Sequence, residues 1–294
     1  MFRNIFLCAL VTASRKDDFV RSLATSSQNR SRIPPVPPDR LQLDTIDPRY
    51  RILVTDDGSR SLHDTILNES YHSGSGAAAE SYVVYIRNSN VESLLSPDRT
   101  TRCFEYGFGT AMNFVMTASL AQARNAPLFF ESWEHSLLPA EVFEQLELPT
   151  AIRAAQNLGW LTECGDHASS IVEQWLAFRK SLALTPEKGV YDCHLGDRIT
   201  LKLVIGDATT LSADDYSESF DAIYFDAFSP QSNPELWTTS VLTSAHRILS
   251  ASGRLVTYCV NSHVRQLMTS CGFRVTKGPG PPKGKREVMI AFRE

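Results

Sequence analysis

From residue 96 onward the apolar residues alternate between two textures. Short apolar runs bounded by Gly, Pro, Asp or Asn read as buried strands at 102–106, 127–131, 199–205, 220–225, 254–260, 273–276 and 287–292. Between them, residues 109–123, 139–158, 171–181, 236–249 and 264–271 carry helical periodicity. Strands that alternate with helices imply a mostly parallel sheet covered on both faces. The last two strands are joined by a long loop with no helix, so the pattern predicts a seven-stranded sheet ending in an antiparallel hairpin. Upstream the texture differs. Runs at 51–55 and 82–86 read as strands, Asp57-Gly58 as a turn, and 72–79 as a flexible polar stretch. These predict a small β-rich unit over 39–95 beside a main α/β domain over 96–294.

Residues 1–38 follow neither texture. A short apolar stretch precedes Arg15, Lys16, Arg21, Arg30 and Arg32, with Asp17 and Asp18 as the acids, and the segment closes on Pro34-Pro-Val-Pro-Pro38. Two expectations stand: a transit peptide directing the protein to an organellar matrix, or a disordered leader (or misassigned start) on a cytoplasmic protein. No apolar run reaches the length of a membrane span. The formal charge of −4, from 29 basic and 33 acidic residues, excludes a generally basic coat, so any RNA contact needs a local patch. Cysteines at 8, 103, 164, 193, 259 and 271 form no CxxC pair, which gives neither a zinc pattern nor a disulfide framework.

Candidate chemistry gathers at the predicted strand ends. Gly107-Phe-Gly109 lies where the first strand turns into a helix, where glycine lets backbone approach a ligand and the helix start offers free N–H groups. A dinucleotide site would carry a third glycine at Met112 and no acid before the first. Here Glu105 precedes Gly107, which suits a cationic ligand end and repels a pyrophosphate. Glu131 and Glu134 end the second strand, and either can accept from both hydroxyls of a ribose. Asp207 follows the third strand, where an adenine amino group can be read. The fourth strand ends in Asp226 ahead of Ala227-Phe-Ser-Pro230, a carboxylate placed to hold an amine by its N–H groups and help receive its proton. Phe228 can face a sulfonium. Lys283, Lys285 and Arg286 sit in a Gly/Pro-rich loop suited to gripping phosphates.

Taken together these motifs resemble the methyltransferase domain of MnmC, the tRNA wobble-uridine modification enzyme, and its stand-alone relatives. The residues that carry the resemblance are Glu105-Tyr-Gly-Phe-Gly-Thr-Ala-Met-Asn-Phe114, Trp133-Glu-His135, Gly206-Asp207, Phe225-Asp-Ala-Phe-Ser-Pro-Gln-Ser-Asn-Pro-Glu-Leu-Trp237 and Gly284-Lys-Arg-Glu287, spread over residues 50–294. Ala111 and Ala227 stand where the family has glycine.

The resemblance implies a class I, Rossmann-like S-adenosylmethionine-dependent methyltransferase that methylates the aminomethyl group at C5 of a tRNA wobble uridine. It implies cofactor binding by Glu105, Gly107, Gly109, Glu134, Asp207 and Asp226, with Asp226 also near the acceptor amine as the catalytic residue. Phe228, Lys283, Lys285 and Arg286 are the expected substrate contacts, the cations on the anticodon stem-loop. No metal is expected, and no FAD chemistry, because the oxidase half of the bifunctional enzymes has no counterpart in this sequence. Two other readings share the fold: an aminopropyltransferase like the spermidine synthases, which favour a multi-glycine first motif, and a non-catalytic RNA-binding protein, against which the strand-end acids argue.

Overall fold

The computed structural model describes residues 40–293 apart from residue 166, so both expectations for residues 1–38 lie outside the described residues. Four strands open the described chain: β1 (Gln42–Asp44), β2 (Tyr50–Val54), β3 (Arg60–Asp64) and β4 (Glu69–Ser70). They form an antiparallel sheet in that order. The predicted Asp57-Gly58 turn joins β2 to β3. Asp57 Oδ1 accepts from the Ser59 amide at 2.9 Å and from Thr55 Oγ1 at 2.8 Å, while Gly58 takes a φ of 86°.

Beyond this sheet two expectations fail. Part of the stretch read as flexible is the buried helix α1 (Ala77–Glu80), and the strand expected at 82–86 is a π-helical segment, Ser81–Arg87. Its wide turn is marked by the Asn88 amide donating to the Val83 carbonyl five residues back, at 3.2 Å. The cause is legible afterwards. Tyr82, Val83, Val84, Tyr85 and Ile86 are all buried, and a wholly apolar run has no period that separates strand from buried helix. Three alanines at 77–79, strong helix formers, start the turn that carries it. A short helix α2 (Val91–Leu94) then leads into the main sheet.

That sheet has the strands β5 (Thr101–Tyr106), β6 (Leu128–Glu134), β7 (Gly189–Leu195), β8 (Ile199–Ile205), β9 (Phe220–Phe225), β10 (Leu249–Thr257), β11 (Phe273–Pro279) and β12 (Glu287–Arg293). Their order is β11-β12-β10-β9-β5-β6-β8-β7. The central pairs are parallel, and β12 inserts antiparallel between β10 and β11, as the loop-joined ending predicts. Among the described residues this sheet has eight strands rather than seven. The extra strand, β7, pairs antiparallel with β8 at the edge and leaves Val190 57% exposed. A half-solvated edge strand carries Asp192 and His194 on its open face, so it lacks the apolar run that betrays a buried one.

The helices are α3 (Met112–Ala123), α4 (Ala140–Gln145), α5 (Leu148–Asn157), α6 (His167–Ser181), α7 (Thr239–Ile248) and α8 (Ser262–Ser270). The single helix expected over 139–158 is two. Glu147 turns left-handed at φ 48°, and Pro149 lies in the first turn of α5, where its missing N–H costs nothing. One core packs around Trp175, with Phe108 and Phe143 at ring distances of 4.9 and 5.4 Å; a second, around Phe104, Phe220 and Phe225, fills the other face of the sheet. From β5 the chain crosses to β6 on one side, while β9 lies on the other. The strand order therefore reverses beside β5, and open α/β sheets leave a crevice at the carboxyl ends of such strands. The small sheet and the main sheet belong to one compact unit.

Candidate active site

The crevice begins where β5 and β9 end side by side. The Asp226 amide donates to the Tyr106 carbonyl at 3.0 Å, and a Cβ on Gly107 would lie 2.9 Å from the Asp226 carbonyl oxygen. Glycine is required there on two counts, because the close approach coincides with a φ of 88°. Two residues before Asn113 the chain turns through Ala111 at φ 63°, and α3 begins.

Asn113, in the first turn of α3, binds both strand-end acids. Its Nδ2 donates to Glu105 Oε1 at 3.0 Å and to Asp226 Oδ2 at 2.8 Å. Ionised carboxylates only accept, so this arrangement fixes which end of the amide faces them. The other end, Asn113 Oδ1, is buried and has no partner among the described residues. The second oxygen of Glu105 accepts from Ser132 Oγ at 2.8 Å, and that of Asp226 accepts from the Tyr85 hydroxyl. Burial pushes both carboxyls well above the ordinary carboxylate range. For Glu105 the nearby Asp226 charge pushes further, while Asn113 and Ser132 pull back; for Asp226, Tyr85 and Asn113 pull back against Glu80.

A cavity of about 320 Å³ opens over this cluster. Gly107, Gly109, Glu134, Asp207, Asp226 and Phe228 all line it. Of Glu131 and Glu134, Glu134 lines the cavity. Glu134 Oε2 accepts from the Gly109 amide at 3.0 Å on the cavity wall, and burial raises its pKa against the pull of backbone amides. Glu131 turns away to Lys202, Tyr216 and Trp133. Asp207 is exposed and caps a short 3₁₀ turn by accepting from the Thr209 amide at 2.9 Å. Glu105 is not on the wall: it is 1% exposed and stands behind Asn113. Nor do Lys283, Lys285 and Arg286 line the cavity. Lys285 alone of these three is tied to the rim, its Nζ 4.5 Å above the ring of Tyr258, which does line it.

Several residues that shape the site had no role in the sequence reading. Tyr258 donates to the Ala227 carbonyl at 3.1 Å, and Trp237 Nε1 donates to the Phe228 carbonyl at 2.8 Å, so the loop after Asp226 is pinned from two sides. A third tie comes from Glu69 on β4, which accepts from the Ser229 amide at 3.0 Å and from the Ser229 and Ser232 hydroxyls. Tyr71 packs edge-on against Phe228 at 5.0 Å. Asn113 had a signal, a lone amide in an otherwise apolar helix start beside the glycines. Tyr85 and Glu69 had none, since their partners lie 141 and 160 residues away.

Comparisons with known proteins bear on this geometry. Residues 169–294 match a family described as S-adenosyl-L-methionine-dependent methyltransferase. The tRNA 5-methylaminomethyl-2-thiouridine biosynthesis bifunctional protein MnmC of Paracidovorax citrulli is 32% identical over 76% of this chain and 33% of its own length. That of Aromatoleum aromaticum is 29% identical over 83% of this chain and 35% of its own. The chain thus spans about a third of the length of these relatives. The crystal structure of MnmC2 from Aquifex aeolicus superposes with a TM-score of 0.62 at 23% identity, covering 88% of this chain and 72% of that one, and shows the shared fold.

Proposed function

We propose that this chain, an MnmC-like class I methyltransferase domain, moves the methyl group of S-adenosylmethionine onto the amine of an aminomethyl group at C5 of a tRNA wobble uridine. The observation that carries the reading is Asp226. It is a carboxylate on the cavity wall at the end of a central strand, held on both oxygens by buried donors and faced by the glycine turn after β5.

The residues fit the cofactor. Glu134, on the wall at the end of β6, suits a ribose, and Asp207 at the end of β8 suits an adenine amino group. The unpartnered Asn113 Oδ1 is a buried acceptor waiting for an N–H donor, which the ammonium of a methionine end supplies. Glu105 acts on that end through Asn113, by charge and by orienting the amide. Bound there, the cofactor supplies an electrophilic methyl carbon: the amine lone pair forms the N–C bond, the C–S bond breaks onto sulfur, and neutral S-adenosylhomocysteine leaves. Asp226 holds the amine by its N–H groups and takes up the proton that the nitrogen sheds. Phe228, held edge-on by Tyr71, faces the reacting end of the cavity, and Lys285, with Lys283 and Arg286 on the same loop, meets RNA phosphates.

The test is methyl transfer from labelled S-adenosylmethionine to tRNA from a strain that cannot complete the aminomethyl modification, with products digested to nucleosides and weighed by mass spectrometry. Methylaminomethyluridine is the expected product, and Asp226→Ala should abolish it while cofactor still binds. Cofactor binding with no methylated uridine would overturn the acceptor; undiminished turnover in Asp226→Ala would overturn the role of Asp226.

A further inference from the structure

We propose that Tyr85 is a positioning residue for this transfer: it clamps one oxygen of Asp226 from outside the sheet, as Asn113 clamps the other, and so aims the remaining lone pairs of the carboxylate at the acceptor amine. The inference rests on the functional reading above, and it begins from a mismatch between a side chain and its surroundings. Tyr85 is fully buried and packs its ring against Tyr224 at 5.5 Å. Packing alone would be served by phenylalanine. The hydroxyl adds a polar group to the buried interior, where it must find a partner, and the partner it finds is Asp226 Oδ1.

The backbone beneath Tyr85 is equally specific. Tyr82 and Tyr85 both lie on the π-helical segment Ser81–Arg87, yet they serve different neighbours. Tyr82 stacks on Trp160 at 4.7 Å and donates to Glu92 at 3.0 Å, whereas Tyr85 turns to the end of β9. A wide turn closed by the Asn88-to-Val83 bond sets that division. Such π-turns concentrate at functional sites because an added residue re-aims the side chains around it.

A free aspartate at a strand end rotates about its last torsion and samples many orientations. With a donor on each oxygen, Asp226 is held in one plane, and each oxygen keeps lone-pair capacity for the amine. The same two donors favour the ionised form, the form able to accept a proton. The other titratable groups around Asp226 oppose them: Glu80 from α1 raises its pKa, and the charges of Asp226 and Glu105 disfavour one another across Asn113. Tyr258, after β10, is itself raised by burial and further by the Asp226 charge. Removing the Tyr85 hydroxyl therefore leaves a carboxylate that protonates more readily and points less consistently.

The experiment compares Tyr85→Phe with wild type and with Tyr82→Phe, whose hydroxyl serves Glu92 instead. Single-turnover methyl transfer is followed across pH, S-adenosylhomocysteine binding and thermal unfolding are measured alongside, and the Asp226 carboxyl is titrated by carbon-13 NMR in aspartate-labelled protein, assigned from Asp226→Asn. In Tyr85→Phe the transfer rate should fall about ten- to a hundredfold, the scale of one hydrogen bond to a charged group. Cofactor-product binding should stay within about twofold, and the acidic limb and the Asp226 titration should both move up by about one pH unit. Tyr82→Phe should move neither. An Asp226 titration and acidic limb unchanged in Tyr85→Phe would overturn the proposal and leave Tyr85 a packing residue, even if the enzyme slowed or melted earlier. If wild type methylates no tRNA, the acceptor reading fails, and the NMR titration still decides whether Tyr85 holds Asp226.

Discussion

Glu69, on the last strand of the small N-terminal sheet, accepts a hydrogen bond from the Ser229 amide at 3.0 Å, tying that sheet to the loop that follows Asp226. Two hydroxyls, on Ser229 and Ser232, complete the contact. The small sheet is thereby a wall of the site as well as a neighbour of it, and Tyr71 beside it packs on Phe228.

Glu69→Ala should release this loop. Methyl transfer is expected to slow about tenfold, the lower end of what one hydrogen bond to a charged acceptor is worth, while cofactor affinity, proposed above to rest on Glu134 and Asp207, changes little. Parallel measurement of kcat and of cofactor Kd checks it; an unaltered kcat would mean that Tyr258 and Trp237 suffice to hold the loop.

Asn113→Ala removes the donor shared by the buried Glu105 and the half-buried Asp226. A stability loss of about 2–4 kcal/mol at neutral pH is expected, because each acid keeps its burial and loses a hydrogen bond. Asn113→Asp should be worse, since it adds a third carboxylate to the pair. Urea unfolding of the two variants ranks them, and the loss should shrink on acidification as Glu105 and Asp226 take up protons.

Ala111 holds a φ of 63° at the start of α3, a conformation that costs an L-residue about 1–2 kcal/mol. Glycine adopts it freely but gives up chain entropy of about 0.4–1 kcal/mol. Ala111→Gly should therefore stabilise the protein slightly, by about 0.5–1 kcal/mol in urea unfolding. A clear destabilisation would show that the methyl group's packing outweighs the strain.

His72 is buried against Ser61 Oγ at 2.8 Å, and desolvation lowers its pKa to about 4. The unfolded chain binds that proton near pH 6.5, so this group contributes stability that is present above pH 6.5 and lost as pH falls through 6.5 toward 4. The loss amounts to about 3 kcal/mol. Glu80, Glu105 and Asp226, all raised, act in the opposite sense, favouring the fold as they protonate. The difference between wild type and His72→Gln isolates the histidine: their stabilities should converge between pH 7 and 4, and parallel curves would show that His72 does not titrate this way.

The period of the apolar residues determined the alternating core of the fold, because a buried parallel strand must be apolar along its length and its crossover helix must show a face. That is why β5, β6, β8, β9 and the closing hairpin were legible, along with the acids at their ends. Glycine at 107 and the acids at 105, 134, 207 and 226 could be picked out for the same local reason: each sits at the boundary between an apolar run and a turn. The sequence did not determine the state of 82–86, where every residue is buried and no period exists, nor β7, whose open face is polar. Tertiary structure alone decided which acid faces the cavity. Glu131 and Glu134 are three residues apart on one strand, and the pleat and the partners waiting on each side send them to opposite fates. It alone brought Tyr85 and Glu69 to Asp226 and its loop, because a contact between residues more than 140 positions apart leaves no spacing in the chain to read.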